Sequence, residues 1–138
     1  LLLLITPRLV RTLLESRERY HLTKAGIATL AKSVDLERVR AALEAERIVP
    51  AGMTLEKLPF YRPRPAEGAP DGFSGRIGIH EVLRVTPTIR DQIIKGATSG
   101  EIEAQARKEG MQTMLEDGIF KCVQGITTIE EVLRVVSE

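Results

Sequence analysis

Repeated helix start and stop signals divide the second half of the chain into short segments. Thr86 followed by proline is a helix cap with proline at the first helical position. Thr98 and Glu101 have the spacing of a capping box, in which each side chain bonds the backbone N–H of the other residue. Glycines that favour helix ends are Gly96, Gly110 and Gly125. The pattern predicts four short helices over residues 86–138, which we expect to form a compact bundle.

Two other stretches have the character of β-strands. In residues 75–85 apolar and polar side chains alternate, and Ile77, Ile79 and Leu83 fall on one side of the pleat. Residues 1–14 open with an apolar run that is too short to cross a bilayer and is typical of a buried strand. We expect these two strands to pair. Because the chain begins with Leu1 rather than Met, we also expect it to be a piece of a longer protein.

The pentapeptide Glu-Val-Leu-Arg-Val occurs twice, at residues 81–85 and 131–135. The first copy follows alternating isoleucines, whereas the second follows a threonine cap and has glutamates in the first turn, where the helix dipole favours negative charge. We therefore predict a strand for the first copy and a helix for the second, with context overriding local sequence.

Residues 15–71 form the third region. Thr23 and Asp35 are caps for two short amphipathic helices, and the proline-rich stretch 59–65 predicts an extended connector at a domain boundary. The predicted class is α+β. The expected divisions are a strand at 1–14, an inserted helical subdomain at 15–71, a strand at 72–85 and a helical bundle at 86–138.

Several chemistries have no signature in the sequence. The one cysteine, Cys122, excludes an internal disulfide, and with two histidines beside it a structural zinc site is not expected. No phosphate-binding Gly-rich loop ends in Lys and Ser or Thr, and no nucleophile or metalloprotease motif is present. We therefore assign no catalytic, cofactor-binding or metal-binding residue to the chain. Cys122 lies on the apolar stripe of its helix and is expected to be a buried structural thiol.

Charge is unevenly distributed although the net charge is +1. Residues 1–64 carry twelve basic and seven acidic side chains, and residues 65–138 carry eight and twelve. This asymmetry could steer an acidic partner but is too small to require nucleic acid. Within the strand at 72–85, Glu81 interrupts the apolar side. We expect an ion pair with an arginine, Arg76 first among Arg76, Arg8 and Arg11, and a catalytic base is the alternative.

The order and spacing of several segments resemble the carboxy-terminal region of the type II secretion and type IV pilus assembly ATPases. The segments are Arg8-Leu9-Val10-Arg11, the stretch from Gly72 to Leu83 that contains Gly-Arg-Ile-Gly-Ile-His-Glu, Gly110 to Met114 with Glu116-Asp117-Gly118, and the stretch from Gly125 to Val135. The match runs over nearly the whole chain and is closest from residue 72 to 138.

This resemblance implies a hexameric, RecA-like motor on the cytoplasmic face of the inner membrane. Such a motor hydrolyses ATP with magnesium and works with an inner-membrane platform protein of the pilus or secretion machine. The strands would be the last strands of the motor core, and the ATP-binding loop would lie upstream, so the chain alone is expected to be inactive. The helix at 87–96 would carry coupling or subunit contacts through Ile89, Arg90, Ile93 and Ile94. The alternative is that these isoleucines only fill the core.

Two departures from the family pattern concern zinc and one strand. The family often binds zinc through two Cys-x-x-Cys pairs, and the matching positions are Leu14, Arg17, Pro65 and Gly68, so we expect the metal to be lost. Pro7 stands where the family commonly has glutamine, so the first strand is expected to be irregular there or to lie at an edge.

A different function remains open at this point. The chain could be a free-standing helical module that binds protein or nucleic acid without catalysis. A helix-turn-helix can be drawn through residues 98–124, but its second helix is apolar and acidic, whereas a helix that reads a DNA groove needs polar and basic residues. No nucleic-acid partner is therefore expected.

Overall fold

The computed structural model describes residues 2–137, and the described part has six α-helices and two antiparallel two-stranded sheets. The predicted α+β class is confirmed, while the predicted ends at Leu1 and Glu138 lie outside the described residues. The strands are β1 (Leu2–Leu13), β2 (Glu18–Tyr20), β3 (Phe60–Arg62) and β4 (Phe73–Val85). The helices are α1 (Lys24–Ala31), α2 (Leu36–Ala45), α3 (Pro87–Ile94), α4 (Ser99–Lys108), α5 (Met114–Val123) and α6 (Ile129–Val136).

Strands β1 and β4 form a long antiparallel ribbon, as the sequence predicts. Leu2 lies opposite Val85 and Arg11 opposite Arg76, with a register shift between Arg11 and Leu13. Pro7 lies opposite His80, whose backbone N–H donates to Asp117 and so points away from β1. Such a pair exchanges no ladder bonds, so proline costs none there. Within residues 2–137 β1 pairs with β4 alone, and the predicted edge position of Pro7 is confirmed.

Side chains of α5 close the outer edge of β4. Asp117 Oδ2 accepts the His80 N–H at 2.9 Å, and Lys121 Nζ donates to the Gly78 carbonyl oxygen at 3.1 Å. The same lysine pairs with Asp117 at 2.7 Å. Helix α5 therefore bonds backbone groups of β4 that a further strand would otherwise bond. These bonds also fix the position of α5 against the ribbon.

Five of the six helices begin at predicted caps, which are Thr23, Asp35, Thr86, Thr98 and Thr128. Helix α5 begins after Thr113, a cap that was not predicted. The strongest contacts among the last four helices are those of α3 with α4 and of α5 with α6. Helix α5 also packs on β4 and α2, and α6 packs on β1. The ribbon thus provides the apolar surface that the other helices would provide in a bundle.

The proline-rich stretch carries structure that its composition does not predict. Strand β3 lies inside it and pairs with β2, and Leu58 and Phe60 are buried. These two side chains belong to one continuous core with Val10 of β1, Leu43 of α2 and Ile119 of α5. The stretch is therefore part of the packed interior as well as a connection between regions.

Arg47 follows the end of α2 and has a backbone conformation that suits glycine. Its φ is 60°, and the N–H of the next residue, Ile48, donates to the Leu43 carbonyl oxygen at 2.9 Å. A side chain in this left-handed region costs about 1 kcal/mol, so Arg47→Gly is expected to raise the free energy of unfolding by about 0.5–1 kcal/mol. Urea denaturation measures this change. Arg47→Ala is the control, since it removes the long side chain but keeps Cβ, and an equal gain in both variants would contradict the backbone explanation.

Candidate functional site

The structure divides the candidate coupling residues of α3 into two groups. Ile89 is fully buried. Ile93 and Ile94 are 50% and 75% exposed, and Arg90 is exposed beside them. Ile89 is therefore packed within the chain, whereas Arg90, Ile93 and Ile94 form a surface that we call the α3 patch. It joins two apolar side chains to a cation on one side of a short helix.

Arg76 and Glu81 are not brought together. They are five residues apart on β4, so their side chains point to opposite faces of the ribbon, and no ion pair joins them among the described residues. Glu81 is half-buried, and its charged neighbours are Glu103, Arg107 and Glu116. Burial and the nearby Glu103 raise the pKa of Glu81, although Arg107 acts in the opposite direction. The predicted pairing fails because side chains of a strand alternate between its faces.

The best-formed charged cluster joins α6 to β1. Glu131 of α6 is 3% exposed, and its Oε1 lies 2.6 Å from Arg11 Nη2 and 2.8 Å from Arg11 Nε. Its Oε2 accepts the backbone N–H of Arg11 at 3.0 Å and a bond from Arg134 at 2.9 Å. Burial raises the pKa of Glu131, but the bonds from Arg11 and Arg134 outweigh this effect and lower the pKa to about 2.

The outer side of Arg11 is also held in place. Its Nη1 donates to Asp71 Oδ2 at 3.2 Å, and its guanidinium lies over the Phe73 ring, 4.2 Å from the ring centre. Thr127 Oγ1 donates to the Arg11 carbonyl oxygen at 2.8 Å. The arginine thereby connects β1, the segment before β4 and the loop before α6. This arrangement positions structural elements and offers no unoccupied group for chemistry.

A second buried carboxylate lies between three helices. Glu116 of α5 is 1% exposed, and its two oxygens lie 3.7 Å from Arg38 of α2 and 3.7 Å from Arg107 of α4. Arg38 also donates to the Met111 carbonyl oxygen at 2.6 Å. Glu116 completes a capping box with Thr113. Neither Glu116 nor Glu131 was predicted from the sequence as a buried carboxylate, although each stands three residues after a threonine cap.

The ribbon β1–β4 exposes apolar side chains on both of its faces. Ile5 and Leu9 are 58% and 54% exposed on one face, and Leu2 and Leu4 are exposed on the other. Val82 of β4 is exposed as well. A strand that is apolar on both faces is typical of a sheet covered on both sides. We call this surface the ribbon surface, and it is an apolar patch of the kind that marks an interface.

Within residues 2–137, no group of three or more histidine, cysteine, aspartate or glutamate side chains could hold a metal ion. Cys122 is buried, and burial raises the pKa of its thiol. The sequence has no phosphate-binding Gly-rich loop that ends in Lys and Ser or Thr, and we assign no step of hydrolysis to these residues. The loss of zinc stays a prediction.

The chain is similar to known proteins over nearly its whole length. Residues 1–134 match the family model described as "Type II/IV secretion system protein". The chain belongs to this family. It is 40% identical to the type II secretion system protein E of Xanthomonas campestris pv. campestris over 136 residues, which are 98% of this chain and 21% of that protein.

Two pilus proteins are similar over shorter stretches. The type IV pilus assembly ATPase PilB of Thermus thermophilus is 52% identical over 62 residues, 45% of this chain and 7% of that protein. PilB of Pseudomonas aeruginosa is 41% identical over 79 residues, 57% of this chain and 14% of that protein. The chain thus spans about a fifth or less of the length of these relatives. In the part of the chain that the structure describes, none of the helices combines the length and apolar character needed to cross a membrane.

Proposed function

We propose that this chain is the carboxy-terminal structural and coupling part of a motor ATPase that powers type II secretion or type IV pilus assembly. The observation that carries the proposal is the ribbon surface, together with the match of nearly the whole chain to a small part of much longer relatives. A ribbon that is apolar on both faces is stable in water only when other parts of a larger core cover it.

In this proposal β1 and β4 are the terminal strands of a RecA-like core, and the rest of the longer protein covers the ribbon surface. ATP and magnesium are bound by that other part. The intact protein assembles as a homo-hexamer on the cytoplasmic side of the inner membrane and acts with an inner-membrane platform protein. The α3 patch, which is exposed and lies at the far end of β4, transmits movement between subunits or domains. The names of the relatives support a secretion or pilus assembly ATPase, and the exposed apolar side chains support the covering of the ribbon surface and the contacts of the α3 patch.

A chimera tests the proposal. The matched segment of the Xanthomonas type II secretion protein E is replaced with this chain, and magnesium-dependent ATP turnover and the assembly state of the chimera are measured. Turnover is expected in the chimera and absent from the chain alone. Ile5→Glu with Leu9→Glu is expected to reduce both turnover and assembly at least about tenfold, because two charges on the ribbon surface oppose its burial.

The matched control is Ile48→Glu with Leu133→Glu. These apolar side chains are also exposed, at 37% and 40%, but lie outside the ribbon. Their replacement should leave turnover within about twofold of the parent chimera, since exposed sites tolerate charge. Equal losses in both pairs, or hydrolysis by the chain alone, would contradict the proposal.

Ile93→Ser with Ile94→Ser tests the α3 patch, and retained turnover with reduced secretion is the expected result. Unchanged secretion would exclude coupling through α3.

A further inference from the structure

The small sheet β2–β3 carries a group of arginines that stack on tyrosines. The Arg17 guanidinium carbon lies 4.9 Å and that of Arg19 5.8 Å from the centre of the Tyr61 ring, and Arg19 Nη2 donates to the Tyr61 hydroxyl at 3.2 Å. On the other face of the sheet, Arg62 lies 4.4 Å from the centre of the Tyr20 ring. We call these five side chains, which surround the small sheet on both of its faces, the arginine–tyrosine surface.

No carboxylate of the described chain neutralises this surface. Among residues 2–137, none of the three arginines takes part in an ion pair, although Glu18 lies opposite Arg62 in the register. The contrast is with Arg40 of α2, which pairs with Glu37 and Glu44 on its own helix. The arginine–tyrosine surface thus presents charge that no carboxylate of residues 2–137 pairs with.

The stacking prepares these arginines for a partner. A free arginine loses much rotamer freedom when it binds, whereas a guanidinium held flat on a ring has already lost part of it. Arg19 and Arg62 are exposed, so their guanidinium forks are accessible to a carboxylate, whereas the Nε of Arg17 is buried and has no hydrogen-bond partner among the described residues. The Tyr20 ring packs in turn against Phe60, with ring centres 6.3 Å apart. The guanidinium of Arg17 lies against the backbone of Gly125.

We propose that the arginine–tyrosine surface binds an acidic segment of a partner protein through paired arginine–carboxylate contacts. The occupied rings favour this partner over single-stranded nucleic acid, because base stacking needs free aromatic faces and guanidinium groups of the same chain already cover these rings. The proposal does not depend on the motor function, because it concerns a sheet outside the ribbon surface and the α3 patch.

Binding is tested on the full 138-residue chain with a fluorescein-labelled peptide of alternating glutamate and alanine, followed by fluorescence anisotropy. The same peptide with glutamine in place of glutamate, and a labelled oligothymidylate, are the comparison probes. The glutamate peptide is expected to bind, with affinity that falls as salt rises. Intrinsic fluorescence gives a second readout at the same surface, because the chain has two tyrosines, Tyr20 and Tyr61, and no tryptophan.

The variants separate specific contacts from general charge. Arg19→Gln with Arg62→Gln is expected to weaken peptide binding about tenfold, a loss typical of two charge contacts. Arg76→Gln with Arg84→Gln removes the same charge from exposed positions on β4 and should change binding less than about twofold. Tyr61→Leu keeps Arg17 and Arg19 but removes the ring on which they stack, and it is also expected to weaken peptide binding. Circular dichroism confirms that each variant is folded.

Three results would overturn the proposal. One is an equal loss of affinity in the two arginine pairs, which would show that net charge alone matters. Another is binding of oligothymidylate as tight as that of the glutamate peptide, which would favour nucleic acid. The third is no binding of the glutamate peptide at low salt, or binding of the glutamine peptide with the same affinity.

Discussion

Replacing Glu131 with glutamine is expected to lower the free energy of unfolding by about 3 kcal/mol at neutral pH, a magnitude that follows from a pKa lowered to about 2. The variant keeps the size of the side chain but removes the charge that Arg11 binds with its side chain and its backbone N–H. Urea denaturation at pH 7 measures the loss. The neighbouring Glu130→Gln is the control, since Glu130 is exposed in the same helical turn and its replacement should cost less than about 0.5 kcal/mol.

The dependence on pH distinguishes an ion pair from simple packing. The pKa of Glu131 is lower in the folded chain than in the unfolded chain, so the stabilisation is fully present above a pH of about 4.5. It is lost as the pH falls from there through about 2. The difference in stability between the parent chain and Glu131→Gln should therefore shrink over this window. A difference that stays constant between pH 7 and about pH 2.5 would show that the carboxylate does not act through its charge.

Removing the other partner is expected to cost more. Arg11→Met leaves the buried Glu131 carboxylate with Arg134 as its remaining arginine contact among those described, and breaking a buried pair in this way costs about 3–5 kcal/mol. The double variant should be more stable than the sum of the two single losses predicts, because the unpaired charge is then gone. Additive losses would contradict a direct interaction between the two residues.

Three helices begin with a threonine cap and a glutamate three residues later, and they show what local sequence can and cannot predict. At Thr98 and Thr113 the glutamate side chain bonds the backbone N–H of the cap, as the spacing predicts. At Thr128 the same spacing occurs, yet Glu131 bonds Arg11 instead. The competing partner is 120 residues away in the chain. The helix start is local and predictable, whereas the use of the carboxylate depends on which strand lies beside the helix.

The two copies of Glu-Val-Leu-Arg-Val show how far context reaches. The first copy is in β4 and the second in α6, as their flanking residues predict. In contrast, β2 and β3 were not predicted. Each strand has three residues, which is too short for an alternation of apolar and polar side chains to be detected. The two strands are also about forty residues apart in the chain. For the same reason the arginine–tyrosine surface is visible only once these strands have been placed together.

The candidate residues of α3 could be predicted only in part. Helical spacing places Ile89, Ile93 and Ile94 near one stripe, but it does not show how wide a strip of the helix is covered. The structure buries Ile89 and leaves Ile93 and Ile94 exposed, and the main contacts of α3 are with α4 and with β4. Ile93 and Ile94 lie outside the covered side of this eight-residue helix and belong to the α3 patch.

Gly118 of α5 is expected to be the least tolerant glycine in a regular helix of this chain. A Cβ at this position would lie 2.3 Å from Val132 Cγ1 and 2.9 Å from Cγ2, so α5 and α6 are close here because glycine has no side chain. Val132 is fully buried and β-branched, so it has little freedom to move. Gly118→Ala is therefore expected to lower the free energy of unfolding by about 2 kcal/mol or more, even though alanine favours helices.

A matched glycine and a compensating variant make this expectation decisive. Gly100 lies in the first turn of α4, where a Cβ would meet no atom closer than 4.0 Å, so Gly100→Ala should be neutral or stabilise the chain by up to about 1 kcal/mol. Val132→Ala alone should cost about 2 kcal/mol through the cavity that it leaves. In the double variant the new Cβ fills that cavity, so its loss should be clearly smaller than the sum of the single losses. Strict additivity would show that α5 and α6 do not meet at Gly118 and Val132, and the pairing of these helices on the ribbon would then be wrong.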